Sequence, residues 1–425
     1  MSKIRMRYGR HLLEINVPGH NLLSVVHPNE VPGVPDENAE IERAVQNPIA
    51  HPGIQSLAQK GKRTLIIVDD FSRTTPADKI LPVIIRELNK AGISNSNIKV
   101  MLAGGTHRRM TDEEVLQKLG DQIVGSFEIL RHDIEFVKNK DQMLDLGKSD
   151  LGTPVLVNKH VTDAEIKIGV GQIVGHPVAG WGGGAKIILP GVCGEETIWV
   201  SHWLTTKYKM EELLGVADNP ARLDIEAVAK KVGLDFIVNA IQNGRGEIVG
   251  IVAGDPIEAF RKGVEIAKKV YAAKVPAKAE IVLSNMTTHD IDMWQAVKGI
   301  LAAEIVVKDS GTIILCAPCP EGVSREHPVL LDYGYIPVDK VEKLIKLGKI
   351  DDLVGASDCA HVGELLKRVR IVLCSEISKN DTLKLNLAYA ATPQEAVDEA
   401  LARYGSNAKV VALINAGEMV PMVAK

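Results

Sequence analysis

Short apolar runs separated by helical patterns set the strongest limit on what this chain can fold into. RTLIIVDD at 63–70 reads as a buried strand. PADKILPVIIRELNKAG at 76–92 reads as the helix after it, with Pro76 suited to the first turn. NIKVMLAGG (97–105) is the next strand. TDEEVLQKLG (111–120) follows as a helix that opens on the capping box Thr111-x-x-Glu114 and closes on Gly120. TPVLVNKHV (153–161) and EIKIGVG (165–171) are two further strand-like runs. Strands alternating with helices in this way argue for α/β architecture.

After a helical, lysine-rich stretch near 256–273, YAAKVPAKAE (271–280) is small and polar with one proline, and reads as a linker. The pattern then restarts with AEIVLSN (279–285), a helix around 293–306, GTIILCA (311–317) and a helix near 337–347. RVRIVLCS (368–375), a helix at 392–404 and AKVVALINAG (408–417) complete it. The expected fold is α/β with two domains, 1–272 and 279–425. Each has a mostly parallel sheet flanked by helices, the second is doubly wound, and the active site lies in the cleft between them. A chain of 425 residues is too long for one ordinary core, which agrees.

The formal net charge of −4 gives no electrostatic reason to expect nucleic acid or a membrane surface as partner. No apolar run is long enough to cross a bilayer, and MSKIRMRYGR leads into no apolar signal region. Cys193, Cys316, Cys319, Cys359 and Cys374 are odd in number and scattered, which is no disulfide framework and fits a reducing cytoplasm. Cys316-Ala-Pro-Cys319 has CxxC spacing but no second pair nearby. The simpler reading is that Cys316 ends a buried strand and Cys319 lies in the turn beyond it.

Three polar clusters stand where strands end, the place at which ligands collect in open α/β sheets. Asp69-Asp70-Phe-Ser72-Arg73-Thr74-Thr75-Pro76 runs from a strand end into a helix start, where backbone N–H groups and hydroxyls suit an anion. Arg73 can grip a carboxylate through two parallel hydrogen bonds, although Asp and Ser also serve as plain helix caps. Gly104-Gly105-Thr106-His107-Arg108-Arg109 offers His107 as a general base. The third, GQIVGHPVAGWGGGAKIILPGVCGEETIWVSH (171–202), fails as a phosphate loop because Ile187, not Ser or Thr, follows Lys186. Its glycines can instead admit a bulky group attached to Lys186. His202 is a candidate metal ligand and His176 a candidate acid/base, against the simpler reading of both as structural histidines.

Together these residues resemble the nickel-dependent lactate racemase family, whose members racemise or epimerise 2-hydroxyacids. The similarity is carried by Asp70-x-x-Arg73-x-Thr75-Pro76, by Gly104-Gly105-Thr106-His107 and by His176-x4-Trp-Gly-Gly-Gly-Ala-Lys186-x3-Pro190-Gly191 with His202 beyond. Trp294-Gln295-x-x-Lys298 continues it in the second domain. The resemblance implies a nickel-pincer nucleotide, pyridinium-3,5-bisthiocarboxylic acid mononucleotide nickel, covalently attached to Lys186, with His202 as the protein ligand to nickel. Asp70, Ser72, Gly183 and Gly184 would line the cofactor. His107 and His176 would be paired acid/bases, one for each enantiomer, and Arg73, Gln295 and Lys298 would hold the substrate.

On this reading the α-hydrogen leaves as hydride, which avoids a carbanion. The partners implied are a small 2-hydroxyacid and the enzymes that make the cofactor. The chain departs from the family's aromatic-Ser-Gly-Gly run, with Trp181-Gly182-Gly183-Gly184 in its place. Thr287-Thr288-His289-Asp290 would extend the polar network toward a substrate larger than lactate. Two rival readings are an NAD-dependent 2-hydroxyacid dehydrogenase and a non-catalytic α/β protein that binds an anion or cofactor. The first lacks a GxGxxG opening a strand–helix unit; the second has no use for two bases.

Overall fold

The computed structural model describes all residues except Lys60, Thr288, His289 and Lys425. Two six-stranded sheets dominate it. The first runs, in spatial order, Ile248–Gly254, Phe236–Gln242, Ile166–Gln172, Thr64–Asp69, Ile98–Ala103 and Glu128–His132. Its pairs are parallel except at the edge, where Ile248–Gly254 lies antiparallel to Phe236–Gln242. The second sheet is parallel throughout, in the order Ala388–Tyr389, Arg370–Cys374, Val307–Cys316, Ala279–Asn285, Val410–Leu413 and Leu22–Val26.

Both faces of a parallel sheet are covered by its crossover helices, so its central strands are apolar without alternation. Every residue of Thr64–Asp69, Ile166–Gln172 and Phe236–Gln242 is buried. Ile66, Val68, Val100 and Ile168 pack on the helix Ala77–Lys90 through Ile80, Ile84 and Leu88. Leu65, Ile67 and Ile237 face the other way. They join an apolar cluster that continues through Ile187 and Ile188 into Val282, Ile300 and Leu315 of the second sheet's layer. One continuous core therefore holds the two halves together.

Three sequence expectations change. The first 26 residues fall outside the N-terminal sheet: Leu22–Val26 pairs with Val410–Leu413 at the edge of the second sheet. The hairpin Ser2–Tyr8 with His11–Val17 buries Ile4, Met6, Ile15 and Val17 against Ile281, Leu283 and Ile314. The stretch 271–280 is more than a linker, because Ala272–Val275 forms a parallel pair with Val420–Val423. The strand expected at 153–161 spans only Pro154–Asn158. Asn158 then caps the short helix Lys159–Asp163 with its side chain. Cys316 does end its strand and Cys319 lies in the following turn at φ 53°. All five cysteines are free and buried. Among the described residues no helix is long and apolar enough to cross a membrane, and no group of three or more His, Cys, Asp or Glu gathers as a metal site.

Candidate active site

Parallel strands present their carboxyl ends on one side of the sheet, which is what brings the three sequence clusters together. Asp70 to Arg73 follow the strand Thr64–Asp69, Gly104 to His107 follow Ile98–Ala103, and the glycine loop follows Ile166–Gln172. They line two adjoining cavities of about 520 and 680 Å³ that share Arg73, Gly104, His107, Lys186 and Pro190. The larger is closed from the second domain by the helix Met293–Val306, which contributes Trp294, Gln295 and Lys298.

A hydrogen-bonded series crosses this cleft. Asp70 accepts from His107 Nδ1 at 2.6 Å and from Ser72 Oγ at 2.6 Å. Burial disfavours the Asp70 charge, but His107, Ser72 and Arg73 outweigh it and hold its carboxyl well below the usual carboxylate range. The ionised carboxylate fixes the His107 proton on Nδ1 and leaves Nε2 as an acceptor, which takes a hydrogen bond from Gln295 Nε2 at 3.0 Å. Gln295 Oε1 in turn accepts from Lys298 Nζ. Gln295 and Lys298 stand three apart on one helix face, and Asp292 caps that helix by accepting from the Gln295 backbone N–H at 2.8 Å. Burial and the nearby Arg73 guanidinium lower the Lys298 ammonium to about 7, against the pull of Asp70, Asp292 and Asp358.

The glycine loop is shaped by backbone rather than by charge. Gly183 and Gly184 lie at φ 79° and 60°, and a Cβ on either would come within 2.8 Å of Ile173 or the Phe260 ring. Asn239 accepts from the Gly184 N–H at 2.7 Å. Arg222, fully buried, stacks on Phe260 at 4.1 Å and donates to the carbonyls of Ala179, Trp181 and Gly183. Burial lowers its guanidinium to about 9. Lys186 follows in the 3-10 turn Gly184–Ile187. Burial, together with Arg73, Lys298 and Arg222, drives its amine well below the ordinary lysine value. Its free-base form is the form that makes covalent bonds.

The three other histidines of the cavity are each held by one ring nitrogen. His202 on the helix Glu195–Thr205 donates from Nδ1 to the Ile198 carbonyl at 2.9 Å, which leaves the Nε2 lone pair available. Burial lowers its imidazolium to about 4, with the Ile198 carbonyl opposing. His176 accepts at Nδ1 from the backbone N–H of Val178 and of Ala179, each at 3.2 Å. His361, from the helix Leu353–Leu366, reaches Thr205 Oγ1 with Nε2 at 2.8 Å.

Arg73, His107, His176, Lys186, His202, Gln295 and Lys298 thus line one cavity, and Asp70, Ser72, Gly183 and Gly184 line the one beside it. Asp70 and Ser72, expected at the cofactor, spend their main hydrogen bonds on His107, on each other and on Arg73. Thr287 bonds Asn285 at 3.1 Å and stays beside its own strand end, while Thr288 and His289 lie outside the described residues. Sequence reasoning missed Arg222, Asn239, Asp358 and His361. Nothing in the spacing of the first two marks them, whereas Asp358 and His361 share the apolar pattern of a helix whose charged positions are worth asking about.

The residues fit a tethered nickel nucleotide. A buried lysine, its amine pushed well below the ordinary value, stands beside a glycine cradle that a Cβ would fill, and the His202 imidazole has its tautomer fixed by a carbonyl, as metal-bound histidines usually do. With no group of three or more His, Cys, Asp or Glu gathered at His202 among the described residues, a metal there would need ligands from the bound group.

Comparison with known proteins matches residues 8–213 to the lactate racemase N-terminal domain and residues 274–420 to the lactate racemase C-terminal domain. Lactate racemase from Thermoanaerobacterium thermosaccharolyticum is 29% identical over 393 residues, 89% of each chain. Lactate racemase from Lactiplantibacillus plantarum is 29% identical over 385 residues, also 89% of each. The structure of the T. thermosaccharolyticum lactate racemase apoprotein superposes with TM-score 0.87 at 26% identity, covering all of both chains. A Thermotoga maritima protein at 21% identity and TM-score 0.71 shares the fold.

Proposed function

Because the chain belongs to the lactate racemase family and is an isomerase of the racemase type, we propose that it racemises or epimerises a small 2-hydroxyacid on a nickel-pincer nucleotide joined to Lys186. The observation that carries this reading is Lys186 itself, a buried lysine beside a glycine cradle, its amine pushed well below the ordinary lysine value, with His202 lining the same cavity. When bound, the nucleotide would supply an electrophilic centre for hydride chemistry at C2.

The chain's own residues do the rest. Arg73 and Lys298 anchor the carboxylate, so the substrate keeps its place while C2 becomes planar. His107, oriented by Asp70, takes the hydroxyl proton at Nε2 and returns it. Gln295 gives up its hydrogen bond to that nitrogen when the hydroxyl arrives and keeps Lys298 in line. His176 addresses the same oxygen. His202 would hold nickel. The cleft between the halves excludes water from a ketoacid that must not escape. A nicotinamide dehydrogenase would need a dinucleotide crevice with a GxGxxG turn, and here the glycine loop ends on a buried lysine instead.

The test is co-expression with enzymes that make the cofactor, followed by intact mass, nickel analysis and chiral chromatography of single-enantiomer 2-hydroxyacids. The expected results are an adduct of a few hundred daltons that Lys186→Ala abolishes, bound nickel, and interconversion of at least one hydroxyacid pair. Protein that gains no adduct while a known racemase gains one in the same cells overturns the assignment.

A further inference from the structure

The larger cavity has more polar wall than the proposed chemistry uses. A carboxylate takes Arg73 and Lys298, a hydroxyl takes His107 and His176, and Lys186 and His202 go to the cofactor. Gln295 is spent on positioning. The polar side chains left over are Thr106, Asp358 and His361. Asp358 and His361 stand three apart on the helix Leu353–Leu366, so they share the helix face that lines the cavity. Val178, Met210, Trp294 and Leu301 make the lining around them apolar.

Both groups are short of partners. Asp358 makes no hydrogen bond or ion pair among the described residues, and burial raises its carboxyl to about 7 with His327 and Lys298 opposing. When protonated, such a carboxyl donates through O–H and accepts through C=O. Thr205 settles the state of His361. Its hydroxyl proton goes to the His202 carbonyl at 2.6 Å, so at 2.8 Å it accepts from His361 Nε2–H. Burial lowers the His361 imidazolium to about 4. The ring is therefore neutral, and its Nδ1 lone pair has no partner among the described residues. The wall is also fixed in place. Asp352 caps the helix by accepting from the Gly355 N–H at 3.0 Å, and it accepts from His327 Nδ1 at 3.0 Å as well. Trp294, beside Gln295, stacks on the His327 ring at 3.8 Å.

We propose that Asp358 and His361 set the specificity of the reaction by selecting a 2-hydroxyacid with a further hydroxyl beyond C2, a polyhydroxy acid of the sugar-acid class, over lactate and over dicarboxylates. This rests on the racemase reading and names its substrate class. A hydroxyl both donates and accepts, which suits a carboxyl and a bare imidazole nitrogen on one helix face. The methyl group of lactate satisfies neither and leaves two buried polar groups unpaired. A second substrate carboxylate would meet Asp358 as a like charge. A site built to bond a hydroxyl rejects the analogue without it more strongly than an apolar pocket rejects one methylene. Thr287 stays beside its own strand end, so the polar reach toward a larger substrate falls to this helix.

The test uses cofactor-loaded protein and single C2 epimers of lactate, malate, glycerate, threonate and gluconate, with products resolved by chromatography. The best polyhydroxy acid is expected to exceed lactate and malate in kcat/KM by at least about tenfold. Asp358→Leu should lower the ratio of that acid to lactate at least about tenfold, and His361→Phe should lower it too. Asp358→Asn, which keeps a donor and an acceptor, should recover most of what Asp358→Leu loses. A ratio of two substrates in one preparation does not depend on how much of the protein is folded or loaded. Lactate or malate as the best substrate overturns the proposal and leaves the racemase reading standing. So does a ratio unmoved by Asp358→Leu, or an Asp358→Asn as damaged as Asp358→Leu. Protein that carries the Lys186 adduct and turns over none of the three polyhydroxy acids overturns it as well. Protein that gains no adduct sinks the racemase reading, and this inference with it.

Discussion

Gln295 donates its side-chain amide to Nε2 of His107 at 3.0 Å, although 188 positions separate them in sequence and they belong to different sheets. Nε2 of His107, in one half of the molecule, is therefore held by a side chain from the other half. The same amide accepts from Lys298, so one residue positions both the proposed base and the proposed substrate cation. Removing it should cost two hydrogen bonds, each about 1–1.5 kcal/mol. Gln295→Ala is expected to lower kcat/KM by roughly 10- to 100-fold, with most of the loss in KM, because Lys298 loses its alignment. Steady-state kinetics on loaded protein checks this. A pure kcat effect would instead make Gln295 part of the chemical step.

Asp70 controls which nitrogen of His107 holds the proton. In Asp70→Asn the amide can turn its NH2 toward Nδ1, and the proton then moves to Nε2, where the base is needed bare. Serine proteases lose about 10⁴ in kcat from the equivalent change. A loss of roughly 10³–10⁴ in kcat is expected here, with Lys186 adduct formation unchanged by intact mass. Asp70→Ala should be no worse than Asp70→Asn, since the damage lies in the tautomer and not in the missing charge alone.

Lys186 costs the apoprotein stability at neutral pH. Its folded pKa lies well below the ordinary 10.5, so between the two values the unfolded chain holds one more proton than the folded one. Stability then rises with pH across that window and falls as pH drops below 10.5. Lys186→Met, similar in length and uncharged, is expected to raise the urea midpoint of the apoprotein at pH 7, with the gain shrinking toward pH 10.5. Urea melts at pH 7, 8.5 and 10 test it. A midpoint lowered by the substitution at pH 7 would mean a charged, partnered lysine.

The strands at 64–69 and 98–103, the capped helix after Thr111, and the clusters around Arg73, His107 and Lys186 were legible because each is written in a few consecutive residues. Even the meeting of those clusters was legible, since strand ends of a parallel sheet share a side. The first 26 residues were not. IRMRY alternates, with Ile4 and Met6 buried, but alternation names no partner, and the partners lie beyond residue 280. The linker expectation failed for the same reason: Ala272–Val275 is strand only because Val420–Val423 reaches it. The tautomers of His107 and His176 depend on a carboxylate 37 residues away and on the tilt of two amides, and no residue spacing encodes either.

Arg222 offers the sharpest separation of architecture from chemistry. It touches neither cavity, yet its guanidinium donates to Ala179 and Gly183 at 3.2 Å each and to Trp181, the three carbonyls that bracket the glycine run. It does so fully buried, stacked on the same Phe260 ring that a Cβ at Gly184 would strike. In Arg222→Ala three carbonyls each lose a hydrogen bond, although Ala179 keeps the Trp181 N–H at 2.8 Å and Gly183 the Lys186 N–H at 3.3 Å, and a cavity opens beside Phe260. Three lost hydrogen bonds at about 1 kcal/mol each, together with the cavity, put the expected loss on the order of 3 kcal/mol or more in urea melts of the apoprotein. Arg222→Lys should recover less than half of it, because a single ammonium cannot span carbonyls that a planar five-donor group reaches together. The loop carries both Lys186 and the turn that holds His176. Adduct formation at Lys186 is therefore expected to weaken in both variants. If the variants lost stability while tethering stayed intact, Arg222 would be a core residue with no part in shaping the site.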